Sequence, residues 1–366
     1  MIYIGAENII SPIGKTAFEN FENLKKGNTG IKFYKNIGFD EKDLYLSKIE
    51  DENYQNAEKK FDYLIINSIQ DSLSQAQNFN ISDENVLILI SSTKGNIDKL
   101  NIENEDFSLV TSALNIQQHF NLKHTPKIIS NACISGIMAI NTANNLIESG
   151  MYKHIIVTGA DIVSDFVLWG FQSLFAISDE PCQPFDKNRK GITMGEAVGT
   201  VIVSENENIF KEKPLKLLAG VSTNDANHIS GPSRTGEGLF RAIQKTLSKN
   251  NIKKDEIDFI SGHGTATNFN DEMESIAFSR LEMLEIPINS LKAFYGHTLG
   301  AAGLIESIIS MQSIRQNVLI KSLGFEEEGT SHTLNLLKEN KETEVNCILK
   351  TAAGFGGCNA ALIIKK

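Results

Sequence analysis

Three short stretches of this 366-residue chain hold side chains able to do chemistry together. Cys133 lies in NACISG, where an apolar run gives way to small residues and then to a helical pattern. His263 stands between two glycines in GHGTATNFND, and His297 follows a glycine in YGHTLGAAG. A free cysteine is among the most buried residue types and is usually inert, so Cys133 alone reads as packing before it reads as a nucleophile. A strand turning abruptly into a helix would set its thiol near unpaired N–H groups and the positive end of that helix, which lowers a thiol pKa. Ser135 and Gly136 beside it permit the close backbone approach that a tetrahedral oxyanion requires.

The two histidines have their own alternatives. His263 is poorly placed for core packing; it is either a loop histidine without a role or a ring open to a substrate. Thr265 and Thr267 share one side of an extended segment by their period of two, so their hydroxyls can line a common polar channel. His297 precedes a small-residue helix start, where a cation is disfavoured and a neutral imidazole is expected. A neutral imidazole donates one hydrogen bond, and two of them aimed at one oxygen would stabilise an enolate. Lys292 lies five residues upstream of His297.

Positioning these groups requires a layered scaffold. Strand-like and helix-like runs alternate almost throughout. MIYIGAE, ENVLILISSTKG, PKIISNAC, HIIVTGADIV, LKLLAGVS and IDFISGHG read as strands. KTAFENFENLKKG, KKFDYLIINSIQDSLSQA, FSLVTSALNIQQHFNL, SGIMAINTANNLIESG, GEGLFRAIQKTLSKN and DEMESIAFSRL read as helices. This alternation favours an α/β layered fold. No Pro-, Gly- or Ser-rich linker divides the chain, and the polar stretch SENENIFKEKPLK at 204–216 is the best seam. A faint echo links NAC and its following helix to YGH and TLGAAGLIESIISMQ, which hints at two related halves.

Bulk properties narrow the class. The length suggests two domains or one large layered domain. Hydrophobic content of 41% and charged content of 22% are those of an ordinary globular chain. Forty-five acidic against 35 basic residues give a net charge of −10, which argues against nucleic acid as the main partner. The apolar runs are too short to cross a bilayer, and the N-terminus lacks the basic start of a signal peptide, so a cytoplasmic location is expected. Cys133, Cys182, Cys347 and Cys358 form no CxxC, which suggests neither a metal site nor a disulfide framework.

Taken together, the motifs resemble the elongating β-ketoacyl-acyl-carrier-protein synthases, the Cys-His-His branch of the thiolase-like condensing enzymes. The resemblance runs nearly end to end: SPIG, GNTGI, NACISG, PFDKNRKGITMGEAVG, NDANHISGP, HGTATNFNDEMES, KAFYGHTLGAAGLIE and GFGGCNAAL appear in family order. It implies a thiolase-like αβαβα fold from two similar halves, residues 1–210 with the nucleophile and 211–366 with the two histidines. It also implies an acyltransferase, a 3-oxoacyl-[acyl-carrier-protein] synthase that condenses an enzyme-bound acyl group with malonyl-acyl-carrier protein. Cys133 matches the acyl-accepting nucleophile, with Phe355 contributing to the oxyanion site and gating it. His263 and His297 match the enolate-stabilising pair, and Lys292, Asp271 and Glu306 match its supports. Thr265 and Thr267 match phosphopantetheine contacts, and Asp225 and His228 fall on the loop opposing the gate. No metal or other cofactor is implied, since loss of CO2 drives the reaction and the substrates are thioesters on phosphopantetheine.

An acidic enzyme meeting an acidic carrier protein needs a local basic site. Lys59 and Lys60 align roughly with a family docking region, and Lys187, Arg189 and Lys190 form a second candidate; ordinary surface lysines are the competing reading. The resemblance further implies a homodimer or a heterodimer with a related subunit. The chain departs from the pattern by a shortening between ISSTKG and IISNAC, by Ala197 after GE, and by Cys358 where threonine is common. The shortening is similar to compact synthases of aryl-polyene and flexirubin-type pathways. The alternative is a noncatalytic chain-length-factor-like subunit, which would usually lack the cysteine. A thiolase fits the two histidines less well, and a starter-type synthase would have asparagine in place of His297.

Overall fold

The computed structural model describes residues 1–100 and 107–366. Its main strands are β1 (Ile2–Ile10), β2 (Val86–Ser91), β3 (Lys127–Ile129), β4 (His154–Asp161), β5 (Ala197–Ser204), β6 (Leu215–Asn224), β7 (Phe259–Ser261), β8 (Ile288–Asn289), β9 (Cys347–Gly354) and β10 (Cys358–Lys365). They lie in the spatial order β8-β7-β9-β10-β6-β1-β5-β4-β2-β3. Divided between β6 and β1, this order is one five-strand pattern used twice. In each half the middle strand pairs in parallel with the next strand outward, which pairs in parallel with the edge strand. The inner strands of each half pair antiparallel. β1 and β6 join the halves through Ile2–Leu217, Tyr3–Lys216 and Ile4–Leu215.

Side-chain alternation along these strands builds three cores, since successive residues face opposite sides. Leu87, Leu89, Ile155, Val157, Val201, Ile348 and Leu362 face a central core. Their neighbours Ile88, Ile90, Ile156 and Ile202 face one outer core, and Leu349 and Ile363 face the other. Helices α1 (Lys60–Ser74) and α2 (Leu109–Phe120) cover the first outer face, using Phe61, Leu64, Ile65 and Ile116. Between the half-sheets run α3 (Ser135–Glu148) and a later helix, α7 (Ala302–Gln316). The intervening helices are α4 (Asp165–Ser173), α5 (Glu237–Lys249) and α6 (Asn268–Arg280), of which α5 and α6 cover the second outer face.

Sequence composition explains which helices are inside. α5 pairs a buried face of Leu239, Ala242 and Ile243 with exposed lysines, as an outer helix should. α7 is buried at every position from Ala302 to Ile314, as an inner one must be. α3 and α7 cross closely because glycines meet there: a Cβ on Gly136 would stand 2.5 Å from Leu304 N, and one on Gly303 would stand 2.7 Å from Ile137 Cγ1.

The five layers, helix, sheet, helix, sheet, helix, are the αβαβα arrangement expected. The echo between the segments after NAC and YGH corresponds to the pair α3 and α7, which occupy matching places in the two halves. Helix α4 and the small sheet of Ile31–Tyr34, Leu44–Ser47 and Met194–Gly195 lay outside the sequence reading. Part of the shortened stretch, residues 101–106, lies outside the described residues. Among the described residues, no helix is long and apolar enough to cross a membrane.

Candidate active site

Two strand-to-helix turns carry the reactive groups. β3 leads through Asn131 and Ala132 to Cys133 and α3. Ala132 holds a left-handed backbone, φ 46°, which reverses the chain sharply and presents the next side chain at the turn's tip. The Ser135 hydroxyl locks the turn, accepting from Asn131 N–H at 2.8 Å and donating to Ala132 C=O at 2.7 Å. The Phe355 backbone N–H, on the β9–β10 connection, points at the Cys133 sulfur. The thiol is buried, and burial pushes its pKa up to about 11 against the opposing pull of Lys292 and Lys94. This corrects the expectation of a lowered pKa: desolvation outweighs the helix end and the nearby cations.

His297 lies on the matching turn before α7. Its backbone N–H donates to Thr193 C=O at 2.6 Å, and its Nδ1 accepts from Leu299 N–H at 3.1 Å. That acceptance fixes the neutral tautomer with the proton on Nε2. His263 follows β7, its ring centroid 5.3 Å from that of His297 and nearly perpendicular to it. Both pKa values lie well below the ordinary 6.5, chiefly through burial and then Lys292, so both rings are neutral at physiological pH. The expected neutral imidazoles are what the site contains, though burial rather than a helix end is the main cause.

The segment after His263 is held by two carboxylates. Glu274 accepts from His263 N–H at 2.9 Å and Gly264 N–H at 2.7 Å, and Asp271 accepts from Thr265 N–H at 2.8 Å and Ala266 N–H at 3.1 Å. Gly264 has φ 37°, and a Cβ there would collide with Phe185 and Ser290. Burial and the neighbouring Asp271 raise Glu274 to about 7. Behind the histidines, Lys292 is ion-paired to Glu306, whose other oxygen lies 2.6 Å from Lys350 Nζ. Lys350 also donates to Ser261 and Gly262 C=O at 3.1 and 2.9 Å. Two buried lysines share the Glu306 carboxylate behind the imidazoles, and burial lowers the pKa of Lys350. Sequence reasoning missed Lys350 and Glu274. A lysine inside the apolar strand ILKTAAG, and a second acid one helical turn-step after Asp271, were the available signals.

Cys133, His263 and His297 converge, their ligating atoms all within 4.8 Å of one another. They line one cavity of about 870 Å³ together with Thr265, Thr267, Asp225, His228 and Phe355. The two threonine hydroxyls hydrogen-bond at 2.9 Å. Phe355 stacks on Phe171 of α4 at 5.6 Å, and Asp225 accepts from Gly238 N–H and Asn359 Nδ2. Lys292, Glu306 and Asp271 stand behind the lining. The α4 contribution was not legible beforehand, nor was Arg234 at the cavity's edge.

The docking lysines divide. Lys60 and Arg189 are corrections: Lys60 is buried against Glu196 at 2.7 Å. Arg189 is buried, donating to Gly329 C=O at 2.6 Å, with Asp271 at 3.8 Å. Long aliphatic stems with paired heads made both structural. Lys187 and Lys190 are exposed and ion-paired, to Glu327 at 2.9 Å and Glu180 at 2.6 Å, and Lys59 is half-buried.

One thiol and two imidazoles at this spacing also match a metal's donor set. The geometry opposes it. Leu299 N–H occupies the Nδ1 lone pair of His297, leaving Nε2 protonated toward the cavity, and Lys292 and Lys350 add positive charge behind.

Comparison with known proteins gives a consistent picture. The family described as beta-ketoacyl synthase, N-terminal domain, matches residues 89–208, and beta-ketoacyl synthase, C-terminal domain, matches residues 217–326. A 3-oxoacyl-[acyl-carrier-protein] synthase 2 of Rhizobium meliloti is 34% identical over 64% of this chain and 59% of its own length. The aligned part is thus less than two thirds of that relative. A protein of Schizosaccharomyces pombe named as a mitochondrial 3-oxoacyl-[acyl-carrier-protein] synthase is 26% identical over 98% of this chain and 97% of its own. Among solved structures, a chain from the complex of a ketosynthase with its chain length factor, from Xenorhabdus doucetiae, superposes with a TM-score of 0.90 at 25% identity. That match covers 100% of this chain and 97% of the other.

Proposed function

Because the chain belongs to the β-ketoacyl synthase family, we propose that it performs a decarboxylative Claisen condensation in two half-reactions. The observation that carries this reading is the convergence of Cys133, His263 and His297 within one buried cavity. In the first half-reaction the Cys133 sulfur attacks a thioester carbonyl, forming a new C–S bond. The old C–S bond breaks and the departing thiol takes up the proton that Cys133 loses. The Phe355 N–H, which points at the sulfur, serves as a donor to the tetrahedral oxyanion.

In the second, a malonyl thioester loses CO2 and the C–C bonding pair becomes an enolate. The Nε2–H of His297 donates to its oxygen, and His263 lies beside it. Neutral donors suit this task, since they stabilise developing charge without a proton to lose at neutral pH. The charge of Lys292, which already lowers the pKa of both imidazoles, favours the anion further. The enolate carbon then attacks the acyl carbonyl on Cys133. A C–C bond forms as the acyl C–S bond breaks, and the released thiolate takes a proton from water. Thr265 and Thr267 serve the phosphopantetheine arm, Asp271 holds the backbone of Thr265 and Ala266, and Phe355 with Asp225 and His228 gates the cavity. No other cofactor is called for by these steps. The thioesters arrive on acyl carrier protein, and the likeness to a chain of a ketosynthase–chain-length-factor complex supports a paired subunit for this chain, as in compact pigment-type synthases. The noncatalytic alternative is disfavoured because every reactive position is filled.

Intact mass measurement after incubation with acyl-carrier proteins tests the reading. Wild type should gain an acyl group that Cys133→Ala cannot hold. His263→Ala and His297→Ala should acylate yet release CO2 from malonyl-carrier protein about a hundredfold more slowly. Unimpaired CO2 release in both variants would remove their assignment.

A further inference from the structure

The cavity opens at a rim that is apolar where charge was expected. Phe175 is 94% exposed, Phe269 77% and Leu174 49%, and all three line the opening. Ile229, between the lining residues His228 and Ser230, is 80% exposed. Large apolar side chains clustered in solvent mark interaction surfaces, whereas scattered single ones do not. Phe175 carries a second signal. It follows the C-terminus of α4 with φ 54°, a left-handed position that glycine or asparagine fills at least cost. A phenylalanine kept there stores backbone strain while projecting its ring outward, and such strain collects where a side chain has a task.

The basic groups expected to attract a carrier are meanwhile engaged. Lys60 and Arg189 are buried, and Lys187 and Lys190 are paired with glutamates. The chain as a whole carries −10 and repels an acidic partner at distance. Docking free energy must come from contact at the mouth, because a tethered thioester can reach Cys133 from there only if its carrier sits over this opening. We infer that Phe175, Phe269 and Ile229 form an apolar seat for the carrier protein, with Arg234 as a flanking charge. This rests on the condensing-enzyme reading above. The partner's matching surface is apolar at its centre, and the association depends weakly on salt, since burial of apolar surface is not screened.

The experiment measures acylation of Cys133 from octanoyl-acyl-carrier protein and, separately, from octanoyl-pantetheine, for wild type, Phe175→Asn, Phe269→Ser and Lys190→Glu. The inference expects KM for the carrier-bound donor to rise roughly tenfold in Phe175→Asn, as for loss of an aromatic anchor, and by a smaller factor in Phe269→Ser. Transfer from octanoyl-pantetheine should be unchanged in both, and the melting temperature of Phe175→Asn unchanged or raised, since asparagine tolerates the left-handed backbone. A merely structural Phe175 would lower it. An unchanged carrier KM in both apolar variants, or a tenfold rise confined to Lys190→Glu that salt abolishes in wild type, overturns the apolar seat while leaving the chemistry intact. Wild type that accepts neither donor overturns the condensing reading and the seat with it.

Discussion

The two turns that build the site occupy equivalent places in the two halves, yet they end differently. In the first half Ala132, φ 46°, precedes Cys133; in the second Leu299, φ 48°, precedes Gly300. Three residues further on stand Gly136 and Gly303, the contact points of α3 and α7. Cys133 and Gly300 are therefore counterparts. Facing each is the end of an equivalent middle strand, Gly354 on β9 and Asp161 on β4. At Gly354 a Cβ would come within 3.1 Å of Cys133 N, so the glycine leaves room beside the sulfur. At Asp161 a carboxylate fills the corresponding space, accepting from Gly300 N–H at 2.6 Å and from Thr93 N–H at 3.0 Å. One turn is left open for a substrate's oxygen, and the other is closed by the protein's own anion. The closed turn is then free to fix His297, whose counterpart three residues before Cys133 is the exposed Ser130. The two halves share one corner geometry, and a single buried carboxylate makes one of the corners a support.

The largest test of this contrast concerns the open turn's sulfur. With a thiol near 11, iodoacetamide labelling of Cys133 should quicken about tenfold per pH unit from pH 7 to 9, without a plateau. Peptide-resolved mass spectrometry separates it from the other cysteines. A plateau below pH 8 would mean that the helix end and Lys292 outweigh burial, and that the two turns differ in charge as well as in room.

A smaller effect is expected at the closed turn. Asp161→Asn keeps one acceptor and removes the charge that receives the Gly300 and Thr93 N–H groups. Release of CO2 should fall roughly tenfold to a hundredfold, the worth of a buried charge-assisted hydrogen bond, with Cys133 acylation from a small thioester retained. Equal losses in both half-reactions would show Asp161 to be scaffolding for the two turns alike, and the functional contrast between them would fail.

Much of this arrangement is legible in sequence because its signals are local. Small residues around Cys133, glycines beside both histidines and the strand–helix alternation all lie within a few positions of what they predict. Lys350 was hidden by its setting, since a lysine in an apolar strand has meaning only beside Glu306 and Lys292. Tertiary facts were out of reach. Lys60 meets Glu196 and Arg189 meets Gly329 across more than a hundred residues of chain, so nothing local marks either as buried. The thiol's pKa was misread for the same reason, because desolvation belongs to the assembled core and not to the turn.

The smallest expected effect lies in the helix crossing that the halves share. Gly136→Ala would bring a Cβ to 2.5 Å from a backbone nitrogen of α7, Leu304 N, which cannot move without shifting the helix that follows His297. Gly303→Ala would meet Ile137 Cγ1 at 2.7 Å and Ile137 N at 3.1 Å, and the nearer of these is a side-chain atom able to change rotamer. Overpacking of a well-filled core costs about 1–3 kcal/mol, with Gly136→Ala expected at the upper end and Gly303→Ala nearer the lower, read as the difference in urea midpoint at constant slope. The two substitutions are equivalent by the pseudo-symmetry of the fold, so equal losses would mean that the crossing is symmetric and that the halves diverged only at the turns. Unequal losses in the stated order would carry the divergence into the packing beneath them.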